Sequence, residues 1–273
     1  REVVLAAVAE DGSELEYVSA AELPAAVEGI KSDSPDKQLA GATTIRKLLS
    51  MPDSPIQLVI DTGAVPALVR FLHLDDNPNL QSEAACALGN IASGTSEQVR
   101  VLVEHNVFKE LSRLVDSPTL REQVIWGLGK IASDSAATRD AIIAAGVVHK
   151  LSVMLQDDTL PLTSLRHATL LAKILCNGKP APEFEAVRGL LPPLTRLIYH
   201  TDEEVLEEAL WTLAFFLSEP VMARQDNSVV SSPVCNAELF AATIESCVHD
   251  YWSCSAIQHP TCRKLQWGLA ETL

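Results

Sequence analysis

Apolar residues recur along this chain at the spacing of one face of an α-helix. Between Pro66 and Leu74 they include Leu68, Val69 and Leu72, at steps that fit 3.6 residues per turn. No stretch of useful length alternates between apolar and polar residues, as a half-buried strand would. The pattern therefore predicts an all-α protein.

Residues that break helices divide this pattern into groups of three segments. One group has a short helix over Ile56–Asp61, a sharp turn at Gly63 and a second helix that begins near Pro66. Asp75–Pro78 ends the second helix, and a longer third helix is predicted over about Asn79–Ser93. Three helices, two short and one long, thus form one structural unit.

The group of three helices is repeated. Gln81–Ser93 matches Arg121–Ser133 after 40 residues, and later copies bring Leu170 and Trp211 into register after 44 and 41 residues more. Gln38–Ser50 is a weaker earlier copy. A period of about 40–47 residues is typical of armadillo and HEAT repeats. We therefore predict an armadillo-type α-solenoid, a right-handed superhelix of three-helix repeats.

The turn between the first two helices also recurs. Gly146 stands at the position of Gly63, and Asn106, which tolerates a left-handed backbone, takes this place in the second unit. Pro192 marks the corresponding turn of the fourth unit.

The repeat sets the predicted domain boundaries. We predict that residues 23–218 form the array, that residues 1–22 form an acidic segment with no basic binding region, and that residues 219–273 form an irregular or diverged tail rich in Cys and His. The tail offers zinc-ligand residue types but no Cys-x-x-Cys pair, so no metal site is predicted. Because Arg1 rather than Met comes first, we interpret this end as a processed terminus or the start of a fragment.

Charge narrows the choice of partner. The chain has 21 Lys and Arg against 36 Asp and Glu, a net charge of −15, which disfavours nucleic acid and anionic membranes and favours basic partners. No apolar run approaches the ~20 residues of a membrane span. Six cysteines in 273 residues are too sparse for a disulfide scaffold, which favours a reducing compartment.

The third helices of a solenoid face its concave groove, so their register positions are the candidate binding residues. The register residue and the residue four later share one face. These pairs are Cys86 and Asn90, Trp126 and Lys130, Leu170 and Ile174, and Trp211 and Phe215.

Several runs of the sequence resemble the importin-alpha family of nuclear import adaptors, over roughly Leu23 to Ser218. They are Cys86–Glu97, Arg121–Gln123, Asn177–Pro180, Thr201–Leu206, Leu23–Pro24 and Arg46–Ser50. The resemblance implies a groove that binds an extended, Lys/Arg-rich nuclear localisation signal. An indole face attracts a cation and packs against its aliphatic stem, an Asn amide bonds the peptide backbone, and carboxylates select basic side chains.

The candidate peptide-binding residues follow from this resemblance and from the spacing. Glu122 and Glu208 lie one turn before Trp126 and Trp211, and Glu204 lies two turns before Trp211. By resemblance, further groove positions are Asn90, the Gly94 carbonyl, Gln123, Arg166 and Asp134, the last matching the acid that pairs with the signal's main lysine. The implied partners are cargo proteins in cytoplasm and nucleus; no cofactor, nucleic acid or membrane is expected.

The groove departs from the family pattern at five degenerate positions: Cys86, Lys130, Leu170, Ile174 and Phe215. Lys130 places a positive charge where a positive ligand should lie. The family's basic importin-beta-binding segment also has no counterpart, because no Lys or Arg lies between Arg1 and Lys31. We therefore expect this chain not to bind importin-beta by itself.

Two functions remain open from the sequence. The leading one is a nuclear import adaptor that binds basic signal peptides in the groove. The alternative is a diverged or truncated armadillo protein-interaction scaffold that binds a different, less basic partner and no longer acts as an import receptor. No enzyme is predicted, because Ile131 after Gly129-Lys130 breaks a phosphate-loop pattern and no other catalytic motif occurs.

Overall fold

The computed structural model describes residues 18–217, which are built from α-helices joined by short turns. The fourteen helices of this part of the chain are α1 (Leu23–Lys31), α2 (Pro35–Leu49), α3 (Ile56–Asp61), α4 (Val65–Phe71), α5 (Pro78–Ile91), α6 (Ser96–Glu104), α7 (Val107–Leu114), α8 (Arg121–Ala132), α9 (Ala136–Ala144), α10 (Val147–Met154), α11 (Leu162–Cys176), α12 (Phe184–Val187), α13 (Leu191–Leu197) and α14 (Glu203–Leu217). Short 3-10 segments cover Ala20–Glu22 and Arg188–Leu190. The described residues include no strand, and the all-α prediction is confirmed.

The turns lie where the sequence predicted them. Gly63 and Gly146 have φ angles of 70° and 83°, and Asn106 has 54°, so all three adopt the left-handed backbone. Pro66 and Pro192 both occupy the first turn of a helix, where a missing N–H costs nothing. Residues that can be recognised in the sequence therefore mark where α4, α7, α10 and α13 begin.

The described residues divide into two compact units, with the boundary in the sequence after Leu111. In the N-terminal unit, residues 18–111, the long helix α2 packs between α1 and α5, and α4 packs against α5. In the C-terminal unit, residues 112–217, α11 packs between α8 and α14, with α10 against α11 and α13 against α14. Each unit thus brings the third helices of its successive repeats side by side.

The buried residues of α11 show which face of this third helix is exposed. In α11, the residues Ala168, Leu171, Ala172 and Leu175 are at most 1% exposed. Each fully buried Leu stabilises the fold by about 1.5–3 kcal/mol. The register position Leu170 is displaced from this buried stripe and is 39% exposed.

The predicted acidic segment and Cys/His-rich tail lie largely outside the described residues, so their boundaries stay predictions. Within residues 18–217, no helix is long and apolar enough to cross a membrane. No group of three or more potential metal ligands occurs in that range either.

Candidate functional site

Helices α8, α11 and α14 of the C-terminal unit carry most of the predicted site. We define the register face as the surface formed by their register residues and the residues four later. It comprises Trp126 and Lys130 on α8, Leu170 and Ile174 on α11, and Trp211 and Phe215 on α14. All six are half-buried or exposed, so this surface is accessible on each of the three helices.

The indole of Trp126 is covered by a cation from its own helix. The Lys130 Nζ atom lies 5.5 Å from the centroid of the ring, because residues four apart on a helix are neighbours. Such a contact stabilises an exposed pair by about 0.5–1 kcal/mol. The chain's own ammonium group therefore occupies the position where a bound lysine would contact Trp126.

Glu122, which the sequence predicts as a peptide-binding residue, links two helices. Its carboxylate accepts hydrogen bonds from the Thr163 hydroxyl and, at 3.0 Å, from the Ser164 hydroxyl, both at the start of α11. The Thr163 hydrogen bond is the main cause that holds the pKa of Glu122 below its usual value. Glu122 is thus ionised at neutral pH and helps to join α8 to α11.

Arg166 and Glu204, both predicted to bind a peptide, form an ion pair with each other and remain partly exposed. Two hydrogen bonds, of 3.1 and 2.6 Å, run from the Arg166 guanidinium to Asp202, and a third nitrogen lies 3.1 Å from Glu204. Arg166 holds the pKa of Asp202 below its usual value. Asp202 also accepts the backbone N–H of Val205 at 3.2 Å, in the first turn of α14.

The third predicted acid, Glu208, is also paired. Its carboxylate lies 2.7 Å from the Lys173 ammonium, and both side chains are largely buried. Together with Arg166, this ion pair connects α11 to α14 along one seam.

Glu207 is the acid that the sequence argument passed over. It lies one turn before Trp211, is half-buried, and forms no ion pair or side-chain hydrogen bond with the other described residues. Within the same range, no cation covers the Trp211 ring. Glu207 could have been identified from the sequence, because its spacing of four residues from Trp211 places both side chains on the same face of the helix.

An apolar strip separates the two tryptophan helices. Leu170 is 39% exposed. The Cδ1 atom of Ile174 would lie 3.6 Å from a Cβ atom at Gly129, so this side chain rests on the backbone of α8 next to Lys130. The middle of the register face is therefore hydrophobic.

Two further predicted residues flank α8. Asp134 follows the end of this helix, is half-buried, and its carboxylate has no partner among the described residues. Gln123 has a buried Oε1 atom that accepts no hydrogen bond from any residue between 18 and 217. Asp134 thus remains an available acid on the C-terminal unit.

The remaining predicted residues belong to the N-terminal unit. The Asn90 amide donates to the Ser50 hydroxyl at 3.0 Å, and burial raises the pKa of the neighbouring Cys86 thiol. The Gly94 N–H donates to the Ile91 carbonyl at 3.0 Å, which ends α5. Asn90 is thus engaged within the chain but only half-buried.

Solved structures define the class of fold. A computationally designed armadillo repeat protein for modular peptide recognition superimposes with a TM-score of 0.75 at 21% identity, covering 92% of this chain and all of that one. A designed armadillo protein in complex with the peptide (KR)4 gives 0.73 at 24% identity, with the same coverage. The armadillo/beta-catenin-like repeat profile matches residues 52–93 and 185–214. The protein is an armadillo-repeat α-solenoid.

Proteins that are similar in sequence identify a family within the armadillo-repeat proteins. Importin subunit alpha-B of Dictyostelium discoideum is 50% identical over 78% of this chain, and importin subunit alpha-2 of Arabidopsis thaliana is 46% identical over 71%. Importin subunit alpha-4 of Arabidopsis thaliana is 46% identical over 78%. The chain belongs to the importin-alpha family, and it spans 36–42% of the length of these three relatives.

Proposed function

We propose that this chain binds extended, Lys/Arg-rich segments of cargo proteins along the register face and acts as a nuclear import adaptor in cytoplasm and nucleus. The observation that carries the proposal is the pair of Trp211 and Glu207 on α14. Both are half-buried and unpartnered among the described residues. An uncovered indole with a carboxylate one turn away suits a Lys or Arg side chain, at about 0.5–2 kcal/mol for the cation–ring contact.

The comparisons support this proposal at the level of family and fold. The sequence relatives are importin alpha subunits, and a designed protein of the same fold is bound to a peptide of alternating Lys and Arg. Such binding needs no catalytic group, since the ligand is held by side-chain contacts and by hydrogen bonds to its backbone.

A second function, an armadillo scaffold that no longer acts as an import receptor, is favoured by the contact between Lys130 and Trp126. The register face of α8 already holds a cation. A ligand with a basic residue at that position would be repelled.

The test is calorimetric titration with an eight-residue peptide of alternating Lys and Arg. We expect Trp211→Ala and Glu207→Gln each to weaken binding about ten-fold, because each removes one part of the proposed cation site. Tyr199→Ala is the matched control, as this aromatic is 71% exposed and lies just beyond α13.

Two results would contradict the proposal. One is the absence of binding by the wild-type chain, which would favour the scaffold. The other is a Trp211→Ala variant that binds as tightly as Tyr199→Ala.

A further inference from the structure

We infer that the bound segment is not uniformly basic: opposite α8 and α11 it carries a carboxylate for Lys130 and an apolar side chain for Leu170 and Ile174. The inference rests on the proposed function, because it takes the segment to lie along the register face. It goes further by specifying the chemistry of the segment away from Trp211.

The first argument is that Lys130 is an uncompensated cation. It is exposed and contacts the Trp126 ring, but it makes no ion pair with a carboxylate of the described residues. Glu122, the acid one turn before Trp126, is held by the hydroxyls of Thr163 and Ser164. An ammonium group held over an indole can still donate hydrogen bonds to a carboxylate.

The second argument is that the cations of α11 are already neutralised. Arg166 is bonded to Asp202 and lies 3.1 Å from Glu204, and Lys173 lies 2.7 Å from Glu208. A ligand carboxylate would have to displace an internal partner to reach either of them. Lys130 is therefore the group on the register face that a ligand carboxylate fits.

The third argument is the apolar strip on α11. Leu170 is exposed, and Ile174 packs on the backbone of α8 at Gly129, beside Lys130. Long Lys or Arg residues of a ligand would find Glu204 and Glu208 already paired with Arg166 and Lys173 of α11. A Leu or similar side chain would remove apolar surface from water. The strip therefore favours a hydrophobic residue next to the acidic one.

The distance between the helices sets the spacing in the ligand. Packed helices lie about 8–10 Å apart, so two steps from α8 to α14 cover roughly 20 Å. An extended chain advances about 3.3 Å per residue. The acidic and basic residues of the segment should therefore stand about six positions apart, with the apolar residue about midway.

The experiment uses the full 273-residue chain and fluorescence anisotropy. The probe is a ten-residue peptide that carries a Glu, a Leu three positions after it and a Lys-Arg pair that begins six positions after the Glu. All other positions are Ser. A second parent peptide has the same residues in the reverse order, from the Lys-Arg pair to the Glu. Companion peptides carry Lys in place of Glu, or Ser in place of Leu. We expect each companion peptide to bind the wild-type chain about ten-fold more weakly than the parent peptide that binds more tightly of the two.

Reversing the charge of residue 130 tests whether Lys130 is the group that selects the Glu of the peptide. With Lys130→Glu, the peptide with Lys in place of Glu should bind better than its parent, the reverse of wild type. Lys109→Glu is the matched control, because Lys109 also lies over an aromatic ring, 6.0 Å from Phe108, but on α7. This control should keep the wild-type order of affinities.

The outcomes separate the two proposals. If the peptide with Lys in place of Glu binds wild type as tightly as its parent, the inference is wrong and the proposed function stands. If neither the parent nor an all-basic peptide binds, both are wrong. If Lys130→Glu fails to fold, the peptide series on the wild-type chain still decides.

Discussion

At the residue scale, the Lys130 ammonium group lies 5.5 Å from the centroid of the Trp126 ring, where a ligand that passed over α8 would meet it. The sequence predicts that Lys130 opposes a basic ligand; the structure adds that its ammonium group occupies the indole face. Two like charges about 6 Å apart repel by about 3 kcal/mol at an effective dielectric constant near 20, and by less once salt and water screen them. Under the proposed function, Lys130 would therefore oppose a basic ligand both by its charge and by covering the ring that the ligand would contact.

We expect Lys130→Asn to tighten binding of the alternating Lys-Arg peptide about ten-fold, or about 1–2 kcal/mol after screening. Asn removes the positive charge, uncovers the ring and offers an amide to the peptide backbone. In this background, Trp126→Ala should cancel most of the gain, because the uncovered ring is then lost. Calorimetric titration of the single and double variants measures both effects. Unchanged affinity in Lys130→Asn would show that the ligand does not pass over α8.

A second prediction concerns the left-handed turn at Gly146. Its φ angle is 83°, and a Cβ atom there would meet no atom within 4 Å. Gly146→Ala should therefore cost only the backbone penalty, about 1–2 kcal/mol. Gly146→Asn should cost clearly less, as Asn106 adopts the same region in the second repeat. Urea unfolding of the two variants compares these costs, and equal losses of stability would argue against a backbone origin.

The limits of sequence reasoning are visible in single residues. Trp126 and Trp211 could be assigned to one face because four-residue spacing depends only on the helix period. The ion pairs of Glu204 and Glu208 could not be predicted, because their partners Arg166 and Lys173 come from a neighbouring helix more than 30 residues earlier. Pairing between helices depends on packing geometry, which one sequence does not reveal.

At the scale of helices, the ion pairs between α11 and α14 join two repeats. Asp202 binds Arg166 with two hydrogen bonds and also accepts the N–H of Val205 at the start of α14. Arg166 lowers the pKa of Asp202. A carboxyl group whose pKa is lowered by folding stabilises the native state above its unfolded pKa, near 4. That contribution is lost as the pH falls through the lowered value.

We therefore expect Asp202→Asn to lower the melting temperature at pH 7 by about 2–4 °C. Near pH 3 the difference from wild type should shrink, because protonation of Asp202 weakens the same interaction in the wild-type chain. Thermal unfolding at both pH values tests this. Asp158→Asn is a control, since Asp158 is 85% exposed where it pairs with Arg196. A difference that stays constant with pH would rule out the ionised pair as its source.

Helix ends were the most predictable elements. The predicted short helix Ile56–Asp61 is observed with those bounds, because Gly63 ends it with a left-handed turn. The third helix begins at Pro78, one residue before the expected start, where the Asn77 side chain accepts the N–H of Leu80. Local signals of this kind act within a few residues, so they can be recognised in the sequence alone.

A buried arginine holds the loop after α11 and was not predicted. Arg139 on α9 is 2% exposed, and its guanidinium donates to the Asn177 and Pro180 carbonyl oxygens at 2.7 and 2.9 Å. Arg139→Met leaves both carbonyls without this donor, so we expect a loss of about 2–4 kcal/mol in the free energy of unfolding. Arg188→Met should cost far less, because the ion pair of Arg188 with Glu185 is exposed. Chemical denaturation compares them, and equal effects would contradict a structural role for Arg139.

At the scale of the whole molecule, the net charge of −15 should control how quickly a basic segment arrives. A strongly negative protein attracts a positive peptide over distances comparable with the Debye length, about 30 Å at 0.01 M salt and about 8 Å at 0.15 M. Such attraction raises association rates, whereas dissociation depends on short-range contacts such as those at Trp211. We therefore expect the association rate of the alternating Lys-Arg peptide to fall about ten-fold between these salt concentrations, and the dissociation rate to change much less.

Stopped-flow fluorescence at four or five salt concentrations measures both rates. The control is the peptide with one Glu, one Leu and a Lys-Arg pair, which has a smaller net charge and should show a shallower dependence on salt. If salt instead changed mainly the dissociation rate, the binding energy of the basic peptide would come from short-range ion pairs that salt can reach. Glu207 and Asp134, acids without internal partners among the described residues, would then be the groups to substitute. If neither rate responded to salt, charge would have no part in recognition, and the apolar strip at Leu170 and Ile174 would be left as the main source of affinity on this face.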